Sequence, residues 1–201
     1  MGSEMCIRDS IQGKSTRQDE CREMGERWLR ELAPGANGWL GGTYGFTDDD
    51  QFLAIVRFES QEAAAANAAR PEQGAWWAQM EPLFDGPVEF HDCADVTLLM
   101  DGGSDDAGFV QVIRGKVDDV DTLKAMMTNT EQLHEMRPEI LGGTLAIEAD
   151  GSFIETVSFS DEESARRGEQ QAMPEEVRRA METAMHDVSF LDLHQPWFAS
   201  R

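Results

Sequence analysis

The stretch Ile11-Gln12-Gly13-Lys14 returns 102 positions later as Ile113-Arg114-Gly115-Lys116, and Met24 returns in the same register as Met126. With one residue dropped the echo continues. Gly41-Gly42-Thr43 becomes Gly142-Gly143-Thr144, Phe52 becomes Phe153, Val56 becomes Val157, Phe58 becomes Phe159, Glu62 becomes Glu163 and Met80-Glu81 becomes Met181-Glu182. So many identities in nearly one register mark a tandem duplication of a unit of about a hundred residues. A duplicated chain must fold as the same unit twice, and this constrains every other reading.

At 201 residues the chain has room for two small domains. The expected division is a non-native leader over residues 1–10, a first repeat over 11–100, a linker over 101–107 and a second repeat over 108–201. The leader is set apart because Ser3-Glu4-Met5-Cys6-Ile7-Arg8-Asp9-Ser10 resembles translated sequencing-adapter debris. It also stands where the second repeat has the strand-like Phe109-Val110-Gln111-Val112-Ile113, so the first strand of the first repeat is expected to be truncated. The linker Asp101-Gly102-Gly103-Ser104-Asp105-Asp106 is short, acidic and glycine-rich, a composition suited to joining units without rigid structure.

Thirty-nine acidic against 17 basic residues leave a formal charge of −22. Phosphate recognition needs a basic stripe and the sequence offers none, so nucleic acid and anionic membrane are not expected partners. Cys6, Cys21 and Cys93 are odd in number and share no ligand-like spacing, which argues against a disulfide framework and for the cytoplasm. No run reaches the roughly 18 apolar residues of a membrane span.

Along each repeat the periodicities fall in one order. A helical stripe of Cys21, Met24, Trp28 and Leu32 ends at Ala33-Pro34-Gly35. Strands Trp39–Phe46 and Phe52–Phe58 flank the turn Asp48-Asp49-Asp50, a hairpin. Ser60 opens an alanine-rich helix that Arg70-Pro71 interrupts, a second helical piece runs from Gly74 to Leu83, and Val88–Leu99 closes the repeat as a strand with a polar break at 92–95. The second repeat reads strand Phe109–Arg114, helix Val120–Met136, strands Ile140–Glu148 and Phe153–Ser160, a helical region broken at Met173-Pro174, and a last strand Val188–Leu193.

The order is β-α-β-β-α-β twice, an α+β class of two ferredoxin-like repeats. In the strand Phe52–Phe58, Phe52, Ala54, Val56 and Phe58 point one way while Leu53, Ile55 and Arg57 point the other. Both faces are largely apolar, so both need cover. Two sheets from one chain, closing a single-chain dimeric α/β barrel, would provide it, making the protein a monomeric pseudo-dimer.

The run Val56-Arg57-Phe58-Glu59-Ser60-Gln61-Glu62-Ala63, echoed by Val157-Ser158-Phe159-Ser160-Asp161-Glu162-Glu163, is a hydrophobic strand ending in an aromatic residue and entering a Glu-Ala helix. In this the chain resembles the dimeric α/β barrel superfamily, and within it the antibiotic biosynthesis monooxygenase-like group, from about Ile11 to Leu193. The resemblance implies a cofactor-free oxygenase of small aromatic or polyketide-like molecules, or a haem-degrading enzyme, with Asn, Trp, His and Arg as the working residue types. Phe58 stands where the group usually has Trp, and Asn67 and Gly168 stand where it often has His, which counts against haem. The first-repeat set that matches is Arg57, Asn67, Trp76, Trp77 and His91. Asn67 and His91 are the catalytic candidates, donor and base, while Trp76, Trp77 and Arg57 would bind substrate. The bland reading of the same set is a tryptophan pair filling core and an exposed histidine. His186 and His194 are separated by a strand and have no carboxylate at ligand spacing, so no metal is expected, and the resemblance implies no cofactor. The expected partner is a small apolar or aromatic ligand, and the alternative function is a non-catalytic binding or stress-response module.

Overall fold

Strand alternation and helix stops are realised twice, once in each repeat. The computed structural model describes residues 6–93, 95–100, 102–104 and 106–200, with backbone alone at 6–9 and 130–132. These residues form two compact units. The first holds those before Asp95 together with those from Trp197 on, and the second is Asp95–Pro196.

In the first unit the elements are β1 (Cys6–Lys14), α1 (Gln18–Glu31), β2 (Trp39–Phe46), β3 (Gln51–Phe58), α2 (Gln61–Ala68), α3 (Pro71–Met80) and β4 (Glu89–Cys93). The antiparallel strands lie in the order β4-β1-β3-β2. Of the expected leader, residues 1–5 lie outside the described residues, whereas 6–10 are strand. β1 pairs with β3 and with β4, each ladder with a register shift before Ser10. The first strand is therefore not truncated at residue 10. Ladder hydrogen bonds use the main chain, so β1, with a neighbour on both sides, is held without the side-chain pattern of β6. Ser60 caps α2 by accepting from the Ala63 N–H at 3.2 Å. Pro71 starts α3 three residues earlier than the helical pattern indicates, because proline is well suited to the first turn of a helix.

The second unit runs β5 (Asp95–Leu99), β6 (Phe109–Val117), α4 (Val120–Thr128), α5 (Thr130–Met136), β7 (Ile140–Ile147), β8 (Ser152–Phe159), α6 (Glu162–Glu169), α7 (Glu175–Ala184) and β9 (Met185–Ser200). Its strands are ordered β9-β6-β8-β7-β5. Asp119 and Asp161 cap α4 and α6 through the N–H groups of Thr122 and Ser164. The single helix expected over Val120–Met136 is two, because Asn129 leaves helical geometry with ψ at 65°. Both repeats thus carry the ferredoxin-like βαββαβ order.

Two segments depart from simple repetition. The stretch read as one strand over Val88–Leu99 is two strands: β4 pairs with β1, while β5 pairs with β7 through Val96↔Ala146 and Leu98↔Thr144. The last strand is longer than Val188–Leu193. It pairs with β6 as far as Leu193, turns at Gln195, whose φ is +49°, and places Trp197 onward in the first unit. The expected linker is also firmer than its composition suggests. Gly102 N–H donates to Leu99 O at 3.0 Å and Ala107 N–H to Ser104 O at 3.1 Å. The Gly102 carbonyl presses on Gly142 where any Cβ would collide with it, while Asp101 and Asp105 lie outside the described residues.

The two-faced burial read from β3 is realised. Phe52 and Ala54 on one face, and Leu53 and Ile55 on the other, are all buried.

Candidate functional site

Ladder pairing decides which side chains share a space. In the first unit Ile11, Ala54 and Tyr44 stand side by side, as do Ser10, Ile55 and Thr43 on the opposite face. Ala54, Phe52 and Phe58 pack with Trp28, Trp76 and Met80, so theirs is the helix-covered side. His91 stands opposite Ser10, and Arg57 alternates with Ile55, which puts both on the other side. The sheet therefore stands between His91 and Arg57 on one face and the Trp76–Trp77 pair on the other. The five residues singled out from the sequence do not converge.

Each also has an occupation of its own. Trp76 is buried and donates its indole N–H to Met24 O at 2.9 Å. Trp77 meets Phe90 edge-on at 5.0 Å. Asn67 accepts from Arg70 Nη1 at 3.0 Å, and the same nitrogen donates to Leu32 O at 3.1 Å, so the pair ties α2 to the end of α1. His91 Nε2 is 3.7 Å from Glu89 Oε2. Arg57 lies beside Gly41 and its charge partly offsets the effect of burial, which raises the Tyr44 hydroxyl well above its ordinary value. The groove between α1 and α3 is lined by Glu20, Glu23, Glu26, Arg27, Arg30 and Gln79 among others, but not by the tryptophan pair.

The second unit holds a different group in the matching place. Glu155 of β8 pairs with Ile113 on β6 and Leu145 on β7. It alternates with Phe153 and Val157, which pack against Leu123 and Met127 of α4 and against Ala184. Glu155 is 8% exposed and, among the described residues, its carboxyl has no hydrogen bond or ion pair. Burial alone pushes it up to about 7, because loss of water penalises the charged form. Its counterpart 101 positions earlier is Ala54. The signal was present in the repeat comparison, where Phe52-Leu53-Ala54-Ile55-Val56 becomes Phe153-Ile154-Glu155-Thr156-Val157.

Gln111 shares this face, opposite Val157, and is thus a diagonal neighbour of Glu155 at a spacing of about 7 Å. Its Nε2 donates to Glu169 Oε1 at 3.0 Å and to Asp192 Oδ1 at 3.2 Å, which directs its amide N–H groups away and leaves Oε1 as an acceptor. Arg166 binds Asp192, Glu169 and Glu162 and lies over the Phe109 ring at 5.3 Å. Three carboxylates around it, Asp192 first, hold the guanidinium firmly protonated. His194 Nδ1 is 3.6 Å from Glu162 Oε2. Ala65 and Ala68 occupy the places of Arg166 and Glu169 in the first repeat, so the network belongs to the second repeat alone. Chemically, the second unit offers a proton acceptor poised near neutrality beside an amide acceptor, between apolar walls.

No family model matches the chain, and no curated protein is similar to it in sequence. Solved structures are similar in fold. A candidate monooxygenase from Fusobacterium nucleatum shares 10% identity over 100% of this chain and 96% of its own, with a TM-score of 0.77. A candidate monooxygenase from Lactobacillus acidophilus shares 14% over 98% and 97%, with a TM-score of 0.75. An anthrone oxidase-like protein shares 11% over 99% and 94%, with a TM-score of 0.61. At such identities the likeness establishes the fold, that of the monooxygenase-like ferredoxin-fold proteins.

Proposed function

We propose that the chain is a cofactor-independent, monooxygenase-like oxidoreductase acting on a small aromatic or polyketide-like molecule held between sheet and helices of the second repeat. The observation that carries this reading is Glu155, a buried carboxyl with no partner among the described residues, on the helix-covered side of the sheet. A carboxyl that half-ionises near neutrality suits proton abstraction from a carbon acid. The substrate in view carries a methylene between two aromatic rings, acidified by a carbonyl conjugated through them. Glu155 takes one methylene proton, and the carbanion delivers electrons to dioxygen. One oxygen atom ends as the new carbonyl, and the other leaves as water with the two methylene hydrogens. Gln111 Oε1 would accept from a substrate hydroxyl.

The resemblance in fold to an anthrone oxidase-like protein supports the substrate class. In the same proposal the protein is a monomer with both repeats supplied by one chain. Its charge of −22 supports a protein that does not bind nucleic acid. Among the described residues no helix is long and apolar enough to cross a membrane.

The second reading is a non-catalytic binding or stress-response module of the same fold, in which the closely filled interior of the first unit serves as architecture. The two are separated by measuring oxygen uptake with anthrones for the wild type and for Glu155→Gln. Uptake in the wild type, reduced by roughly two orders of magnitude in the variant, is expected of a general base. Calorimetric binding without uptake in either protein would leave the binding module. Uptake unchanged in Glu155→Gln would remove the carboxyl from the mechanism.

A further inference from the structure

A side-chain amide presents either its nitrogen, a donor, or its oxygen, an acceptor, and a half-turn about its last bond exchanges them. For Gln111 that choice is made by charge. The residue is 8% exposed, and both hydrogens of Nε2 are taken, by Glu169 Oε1 at 3.0 Å and by Asp192 Oδ1 at 3.2 Å. An ionised carboxylate accepts and never donates, so the reversed amide would lose both bonds and set its oxygen against two others. The nitrogen therefore stays with the carboxylates. Oε1 is left over, with no partner among the described residues.

Two carboxylates converging on one amide nitrogen call for a cation between them, and Arg166 supplies it. Its Nη2 binds Asp192 Oδ2, and its Nη1 donates to Glu169 Oε1 at 3.1 Å. Arg166 and Glu169 lie one turn apart on α6, while Asp192 is the ladder partner of Gln111 on β9. One guanidinium thus joins helix, neighbouring strand and amide. The fold does not demand this: Ala65 and Ala68 hold the matching places in the first repeat, and α2 forms there without the network.

We propose that Arg166 is a positioning residue which, through Asp192 and Glu169, holds the Gln111 amide with its oxygen free, and that the second repeat thereby selects aromatic molecules bearing a hydroxyl over their methyl ethers. A phenolic O–H donates to Oε1, whereas an ether oxygen has only lone pairs and meets another acceptor. This rests on the second repeat being the one that binds substrate, and not on the oxidation.

The probes are naphthol and its methyl ether, titrated calorimetrically. The wild type should bind naphthol about tenfold more tightly than the ether. Gln111→Leu should bring the two affinities together, which locates the probe at this amide. Arg166→Met should do the same, because the freed amide can turn its nitrogen to the ether. Arg166→Lys should keep most of the preference, since a cation remains between the carboxylates. A purely structural role for Arg166 would weaken both probes alike, so an undiminished preference in folded Arg166→Met overturns the proposal. A wild type that binds both probes equally, or neither, overturns it too.

If Arg166→Met does not fold, the wild type decides by NMR. The Gln111 Nε2 hydrogens, assigned by their loss in Gln111→Leu, should exchange with solvent roughly a hundredfold more slowly than those of the exposed Gln170 and Gln171. Equal exchange would show an unclamped amide and overturn the proposal. The oxidase reading fails separately: a tenfold preference without oxygen uptake from anthrones removes the oxidation and keeps the clamp, and uptake without preference does the reverse.

Discussion

The two repeats place Ala54 and Glu155 at one position of one fold and surround them differently. Around Ala54 the space between sheet and helices is taken up by Trp28, Phe52, Phe58, Trp76 and Phe84, and the polar atoms of Trp28, Trp76 and Asn67 are already paired. Around Glu155 the walls are apolar, yet among the described residues the carboxyl has no partner and Gln111 keeps an acceptor. The first repeat shows that an alanine satisfies the fold at this position. Packing therefore does not require an acid at 155, and burying one works against stability. A costly group where a harmless one suffices is what supports the proposed placing of chemistry in the second repeat and architecture in the first.

The most drastic way to break that comparison is to separate the repeats. Expressing Gly108–Arg201 alone removes β5, uncovers the β7 edge at Thr144 and Ala146, and deprives the tail from Trp197 of its place against Tyr44. This fragment should give no cooperative thermal transition as a soluble monomer, because an open edge and apolar sheet surface favour association. A cooperatively melting monomer would show that each repeat is self-sufficient. A homodimer would support closure between repeats.

Exchanging the chemistry of the two positions comes next. Ala54→Glu places a carboxyl in the closely filled first interior and should lower stability by about 3–5 kcal/mol in urea denaturation. Cys21→Asp should lose a comparable amount, as Cys21 is 1% exposed and burial already raises its thiol. Glu155→Ala should stay within about 1 kcal/mol of the wild type at neutral pH. Similar losses for Ala54→Glu and Glu155→Ala would mean that the two interiors do not differ in the way described.

A pH series sharpens the same contrast. The Glu155 carboxyl is held at about 7 in the folded chain against an ordinary 4.5. Because the folded value is raised, its contribution is fully favourable below pH 4.5 and is lost as pH rises through 7. Relative to Glu155→Gln, the wild type should lose roughly 3 kcal/mol of stability across that window. Parallel stability curves for the two proteins would place the carboxyl in water.

How much of this was legible in the sequence follows from what each signal encodes. Alternation in Phe52–Phe58 and the matched registers of the repeats are local, and they lead correctly to two βαββαβ units with both faces of β3 covered. The partner of a strand is not local. Nothing in the composition of Asp95–Leu99 says that it pairs with β7, or that Trp197 reaches Tyr44. The same gap scattered the first-repeat set, since alternation puts His91 and Phe90 on opposite faces without saying which face the helices cover. Glu155 was within reach. Aligning the repeats exposes an acid replacing Ala54, a signal that a search organised around histidine and tryptophan passes over.

The smallest expected effect bears most directly on where the chemistry lies. His91→Ala removes a half-buried side chain that lies 3.7 Å from Glu89, on the sheet face away from Trp76 and Trp77. Its stability should fall by about 1 kcal/mol, in line with a truncation outside the tightly packed core. Its oxygen uptake should match the wild type, because the proton acceptor proposed is Glu155 and the sheet already separates His91 from the aromatic interior of its own repeat. Melting and uptake measured on one preparation give both numbers. A large fall in uptake at unchanged stability would return the catalytic role to the first repeat and leave Glu155 as a buried acid with no reaction to serve.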